Sequence, residues 1–322
     1  MNKKTIGNEP IYDARTLGAP RMLVLGFQHM FAMFGATVLV PTLTGLSVST
    51  TLLFAGLGTL LFHLLAKGKV PAFLGSSFAF LGGYAAIAPM LENPNSPGVF
   101  NVPNTELLPY ACFGVACAGL VYLVLSLLFK VFGVRKVMRF FPPIVTGPII
   151  IAIGLSLSSS AVNNCATSWP VALVAILVVI VCNIWGKGMI KIIPILLGVI
   201  ASYLVGAVSG QVDFTAVREA AWIGLPVTWS ETVFGLFGSG NVDTAMLATA
   251  AITIIPISLA TMVEHIGDMC AISSTCGRNY IQEPGLHRTL LGDGLATSLA
   301  ALFGAPANTT YGENTGVLAL SK

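Results

Sequence analysis

The sequence predicts an all-α polytopic membrane protein, and three observations carry that prediction. Of 322 residues, 55% are hydrophobic and 9% charged, whereas a soluble domain carries about 25% charge. The apolar residues gather in runs of about 20, the length that crosses a hydrocarbon core of about 30 Å at about 1.5 Å per residue. The cations collect in every second gap between those runs.

The first run extends from about Met22 to Leu43 and the second from Thr50 to Ala66. The third, Val70 to Met90, is interrupted by GSSFAFLGG. The fourth covers Leu107 to Phe129, the fifth Phe141 to Val162, the sixth Trp169 to Trp185 and the seventh Ile192 to Val208. The eighth covers Ala245 to Ile272, the ninth Leu290 to Phe303, and a tenth begins near Pro306. This gives about ten spans. The 34 glycines and 18 prolines suit close helix packing and broken helices, both common in transporters.

Alternate gaps hold Lys3, Lys4, Arg15 and Arg21; Lys67 and Lys69; Lys130, Arg135, Lys136 and Arg139; Lys187 and Lys191; and Arg278 and Arg288. These are all of the 16 Lys and Arg except Arg218 and Lys322. The positive-inside rule then puts the N-terminus in the cytoplasm. The net charge of +3 lies in short loops and gives no argument for nucleic acid. The opening segment has no short apolar core followed by a cleavage site, so it is not a signal peptide. The six cysteines have no metal-ligand spacing with histidine and read as small packing residues. In the long gap from Gly210 to Asp243, FTAVREAAWIG and SETVFGLFG have the character of short interfacial helices.

The third and tenth spans echo one another. Ser76-Ser77-Phe78 follows Pro71, and Thr309-Thr310-Tyr311 follows Pro306. By the loop order these spans run in opposite directions. Short, Gly/Pro-interrupted segments in matching positions of inverted halves point to a transporter binding site.

Three carboxyl residues lie in otherwise apolar runs: Glu264 and Asp268, four apart in VEHIGDMC, and Glu313 beside Gly312 and Asn314. An intramembrane charge costs about 2.5–3.5 kcal/mol on insertion scales and marks a functional site by default. The bland reading is that they pair with cations or backbone donors and hold helices together, but the spans contain no Lys or Arg to pair with. His29 sits inside the first span, as a helix contact or as a site residue. His265 points to a different helix face from Glu264, in packing or in support of the site. Asp293, in LGDGLATS, reads better as a helix cap or domain contact. An intramembrane enzyme would need a nucleophile with its base or a metal cluster, and GSS has no histidine at a telling spacing. A channel would need no tight site.

With these stretches in hand, the chain resembles the uracil/xanthine permease family of nucleobase–cation symporters, the nucleobase–ascorbate transporter type, along essentially its whole length. QHMFAMFGATVLVPTLTGL is similar to the family's first helix, KVPAFLGSSFAF to its third, EHIGD to its eighth, and EPGLHRTLLGDGLATSLAALFGAPANTTYGENTGV to its ninth and tenth. The signature Gln/Glu/Pro-Asn-x-Gly, four residues, Thr, Arg/Lys/Gly reads ENTGVLALSK here, with Ser321 in place of threonine.

The resemblance implies an inverted seven-span repeat, with 14 spans in two repeats and short strands in the broken third and tenth spans. Of these about 10 are present, so the chain is expected to be C-terminally truncated. It implies a cytoplasmic segment 1–21, a core domain at 22–129 and 244–322, part of a gate domain at 130–209, and an external loop at 210–243. It also implies a bacterial inner-membrane protein, dimeric at full length, that needs no cofactor and couples uptake to H⁺, with Na⁺ as the other possibility. Glu264 and Glu313 resemble substrate-binding carboxylates, and Phe78 and Gly312 resemble positions whose backbone N–H groups meet substrate carbonyls. Asp268 falls where uracil carriers have histidine and many purine carriers aspartate, which leaves xanthine or urate beside uracil as substrates. Other stretches look more like the uracil branch. Asp268 and Tyr311 join the expected substrate contacts, Tyr311 as one of two aromatics for the ring face. Glu264 and Asp268 are the expected proton-coupling pair, with His29, Asn314 and Ser77 in support.

Overall fold

Proline and glycine decide where the helices of this chain break. The structure, a computed structural model, describes residues 14–94, 97–98, 100–137, 165–187, 194–212, 224–238 and 242–321, with isolated positions between them. The helices α1 (Ala19–Thr44) and α2 (Val48–Leu65) are followed by a three-residue strand β1 (Leu74–Ser76), a 3-10 turn (Phe78–Phe80) and α3 (Leu81–Ile87). A hairpin of β2 (Leu91–Glu92) and β3 (Phe100–Val102) leads to α4 (Leu108–Phe132). Further along come α5 (Trp169–Trp185), α6 (Pro194–Val208), α7 (Thr244–Ile254), α8 (Ile257–Cys276) and α9 (Leu286–Leu302). The strand β4 (Asn308–Thr310) and α10 (Gly312–Ser321) close the sequence of elements.

Among the described residues, Val48–Leu65, Leu108–Phe132 and Thr244–Cys276 are long and apolar enough to cross a membrane. Shorter apolar helices cover Met33–Thr44, Phe78–Ile87, Trp169–Trp185 and Leu197–Val208. The predicted fifth span and FTAVREAAWIG lie almost wholly outside the described residues. SETVFGLFG forms a 3-10 turn, Trp229–Glu231, and a short helix, Val233–Gly238.

The eighth predicted run is one apolar stretch but two helices. Pro256 has no N–H to donate and its ring crowds the preceding turn, so α7 ends and α8 starts across it. The chain bridges the break with i to i+3 bonds, Ser258 N–H to Ile255 O and Leu259 N–H to Pro256 O. At the other end of α8, Gly277 adopts φ 61°, a left-handed conformation that glycine tolerates at a helix C-terminus.

The chain divides into two compact units. In one, residues 36–153 and 226–315, α9 lies against α4 and α2, and α7 against α4. Small residues bring these helices close. A Cβ on Gly119 of α4 would stand 2.3 Å from Ser298 Oγ and 2.7 Å from Gly294 O of α9. One on Gly114 would stand 2.7 Å from Ala250 O of α7. Between lipid-embedded helices such contact is the main attraction, because lipid tails are as apolar as the side chains. Around it is a core that includes Phe80, Tyr84, Ile87, Val115 and Ile254.

β1 and β4 pair antiparallel within this unit, with Leu74 opposite Thr310, Gly75 opposite Thr309 and Ser76 opposite Asn308. They are the two stretches that echo one another in the sequence. The Thr59 hydroxyl of α2 donates to Leu74 O and accepts from Leu74 N–H. The Asn308 side chain donates to Phe54 O at 2.8 Å, and Thr297 of α9 hydrogen-bonds to Asn308 O. Side chains from two helices thus hold backbone that two short strands leave incompletely paired.

The second unit comprises 1–35, 154–225 and 316–322. Here α5 packs on α6, and a Cβ on Gly198 would come within 2.7 Å of the Val179 side chain.

Candidate functional site

The strand β4 and the 3-10 turn after β1 pack against α8, and the polar residues of these elements meet in an otherwise apolar unit. Glu264 and Asp268 are four residues apart on α8, hence on one helix face. Both are part-buried. His265, one position on from Glu264, is turned away from that face and is fully buried.

Three contacts organise the cluster. Thr310 of β4 donates its hydroxyl hydrogen to Asp268 Oδ2 at 2.9 Å. The same hydroxyl oxygen lies 3.4 Å from His265 Nδ1. That nitrogen lies 3.1 Å from Asp293 Oδ2 of α9, and neither side chain of this pair touches solvent. His265 Nδ1 and the Thr310 backbone N–H both bear on the Asp293 carboxyl, while His265 Nε2 has no hydrogen-bond partner among the described residues. A buried ion costs several kcal/mol unless it is compensated, and here Asp293 and, through Thr310, Asp268 are linked to one imidazole.

Asp293 is not a helix cap, and there the structure departs from the sequence reading. Gly285, not Asp293, stands at the N-cap of α9. Asp293 lies within the helix, flanked by Gly292 and Gly294. A Cβ on Gly292 would come within 2.9 Å of Phe62, and one on Gly294 within 2.4 Å of Tyr122 Cβ. The two glycines admit these aromatics on either side of the carboxyl and close it off from solvent. A carboxyl between two glycines in an apolar run was the signal for this, but its partner is 28 positions earlier, His265, which no local pattern discloses.

The other predicted site residues fall as follows. Phe78 opens the 3-10 turn after β1, with Ser77 at its N-cap, and this turn packs against α8. The first N–H groups of such a turn have no acceptor inside it. Among the described residues, the buried hydroxyls of Ser76, Ser77 and Thr309 have no hydrogen-bond partner. Gly312 begins α10, and a Cβ there would be 3.4 Å from Asp268 Oδ1, so its backbone stands beside that carboxyl. Asn314 is buried in the first turn of α10. Glu313 is placed by its backbone in the same turn. The Tyr311 side chain is buried and bonded by its hydroxyl to Ser76 O. His29 lies on α1, within the range of the other unit, and is half-buried. Glu264, Asp268, Ser77, Phe78, Tyr311 and Gly312 therefore belong to one unit, joined there by His265, Asp293 and Thr310.

Such an arrangement has carboxylate acceptors, amide donors of broken helices and spare hydroxyls at one place in the membrane-embedded part of the chain. It is suited to hold a small polar molecule and to exchange a proton.

Comparison with known proteins gives a consistent result. The family model Xan_ur_permease, a permease family, matches residues 20–322. The chain is 40% identical to the uracil permease of Bacillus caldolyticus over 331 residues, covering 100% of this chain and 70% of that protein. It is 39% identical to the uracil permease of Bacillus subtilis strain 168 over 308 residues, 92% of this chain and 66% of the other. It is 33% identical to the uracil permease of Escherichia coli K12 over 309 residues, 92% and 65% respectively. The chain thus spans from 65% to 70% of the length of these relatives.

Proposed function

The chain belongs to this permease family, and from that premise we propose that the intact protein takes up uracil together with a proton. It is an integral membrane protein and a transporter rather than an enzyme. The observation that carries the uracil reading is 40% identity to a uracil permease across the whole chain, joined to a site with the polarity that uracil requires.

Uracil is flat and neutral, with two N–H donors and two C=O acceptors. A buried polar group left unpaired costs about 1–3 kcal/mol, so its site needs both acceptors and donors. Glu264 and Glu313 are the acceptors in this reading. The backbone N–H groups of Phe78 and Gly312, at the starts of the broken spans, are the donors. Analogues lacking an N–H are then rejected more strongly than analogues that differ by a methyl. Glu264 and Asp268 carry the coupled proton, because two carboxyls one helical turn apart are hard to ionise together. His29, Asn314 and Ser77 support the site.

The architecture that goes with this function is an inverted seven-span repeat in which a core domain (22–129 and 244–322) moves against a gate domain that includes 130–209. About ten spans lie in this chain, with the N-terminus cytoplasmic in a bacterial inner membrane, and the full-length protein is a dimer that needs no cofactor. The Lys and Arg alternation along the loops supports the orientation.

Uptake of labelled uracil by cells expressing the intact protein tests the proposal, with excess unlabelled xanthine as competitor. The expected result is saturable uptake that rises at acidic external pH and ignores xanthine. Uptake that xanthine competes away would make it a purine carrier, and dependence on Na⁺ in place of pH would replace the coupling ion.

A further inference from the structure

The contacts of Thr310 have a direction. A threonine hydroxyl has one hydrogen to give and lone pairs to receive. In this site the hydrogen goes to Asp268 Oδ2 at 2.9 Å. The oxygen faces His265 Nδ1 at 3.4 Å, and that nitrogen also faces Asp293 Oδ2 at 3.1 Å. His265 Nε2 is buried with no partner among the described residues. An unpartnered lone pair is easier to bury than an unpartnered N–H, so the geometry favours the tautomer with its hydrogen on Nδ1. That hydrogen is shared between Asp293 and Thr310.

We propose that Thr310 is the positioning residue of proton coupling: a one-way chain, His265 N–H to Thr310 O–H to the Asp268 carboxylate, is oriented by the buried Asp293. The inference rests on the transport reading above. The two donors, Nδ1–H and Oγ1–H, serve the two carboxylates Asp293 and Asp268, and each hydrogen bond polarises the next. A proton arriving from water forms an O–H bond on Asp268 and makes that carboxyl a donor. Its natural acceptor is Thr310 Oγ1, whose own hydrogen must then turn away, and Nδ1 cannot take it because Nδ1 is already a donor. Protonation of Asp268 therefore replaces a charge-assisted bond to β4, the strand of the broken tenth span, with a weaker neutral one of reversed direction. The loading of a proton is thereby passed to the backbone that opens α10.

The groups facing this chain come from every element packed on it. Glu264 lies on α8 beside Asp268 and bears on it electrostatically, as do His265 and Asp293. From α4, Tyr122 bonds to Thr261 and packs against Gly294, and Asp293 and Glu264 act on it electrostatically. From α2, Phe62 presents an edge-on ring to His265 at 6.4 Å. The start of α10 stands beside Asp268 through Gly312.

The test is an infrared pH titration of the purified intact protein, without substrate, following the carboxyl band that disappears in Asp268→Asn. Thr310→Val keeps the β-branched shape and removes the donor to the ionised carboxylate. Loss of one charge-assisted hydrogen bond should displace the midpoint on the order of one pH unit. Thr310→Ser keeps the hydroxyl and should leave the midpoint in place. Asp293→Asn should displace it as well, partly through space and partly through the chain, and the part carried by the chain shows as a smaller displacement when the same change is made in the Thr310→Val background. An unmoved midpoint in folded Thr310→Val or Asp293→Asn, or an equal displacement in the serine variant, would overturn the chain. Because no uracil is present, failure here is distinct from failure of the wild-type protein to transport uracil.

Discussion

The Tyr311 hydroxyl donates to Ser76 O at 2.8 Å, joining the residue after β4 to the last residue of β1. The same hydroxyl lies 3.2 Å from Thr37 Oγ1. Gly75 makes room for the ring, since a Cβ there would be 2.5 Å from it. One phenol thus ties α1 and both broken spans together. Tyr311→Phe keeps the ring and leaves a buried carbonyl without this donor, a change expected to cost about 1–3 kcal/mol. Thermal unfolding of the detergent-purified protein should show a lower midpoint, and an unchanged midpoint would remove Tyr311 from this structural role.

Gly119 makes a second, purely steric prediction. Its missing Cβ would collide with both Ser298 Oγ and Gly294 O, one of them backbone that cannot rotate aside. Gly119→Ala should separate α4 from α9 and lower stability by about 1–3 kcal/mol, the usual cost of overpacking. Gly82→Ala, where nothing lies within 4 Å, is the matched control and should melt close to wild type.

Glu264 divides function from folding. Glu264→Gln keeps size and hydrogen-bonding capacity and removes the titratable group, so coupled uracil uptake should vanish while the protein still accumulates in the membrane. Normal, still pH-dependent uptake by this variant would take Glu264 out of the coupling mechanism.

Outside the spans, the Lys69 ammonium is hydrogen-bonded to Glu283, and that bond with its charge holds the Glu283 carboxyl below its ordinary value of 4.5. A depressed carboxylate stabilises the fold above its unfolded value and loses that contribution as pH falls through the lowered folded value. Both groups are solvated, so the effect should be small and reduced by salt. Melting curves of Glu283→Gln and wild type should coincide in high salt and separate slightly near neutral pH in low salt. A large gap that persists in high salt would show that the bridge is more than a surface contact.

The membrane class and the two stretches that pair as β1 and β4 were legible in the sequence for a common reason. Hydropathy, helix-breaking residues and loop charge act locally, and each residue shows them wherever it stands. Thus Ser76-Ser77-Phe78 and Thr309-Thr310-Tyr311 marked the two strands, and VEHIGDMC marked the carboxyl face of α8. Tertiary structure alone decided that Leu74 pairs with Thr310, that Asp293 meets His265 within α9 instead of capping it, and that Thr310 stands between His265 and Asp268. Those contacts depend on how closely glycines such as Gly119, Gly292 and Gly294 let helices and aromatics approach. Close approach is a property of facing surfaces distant in the chain, so it appears only once the helices are packed.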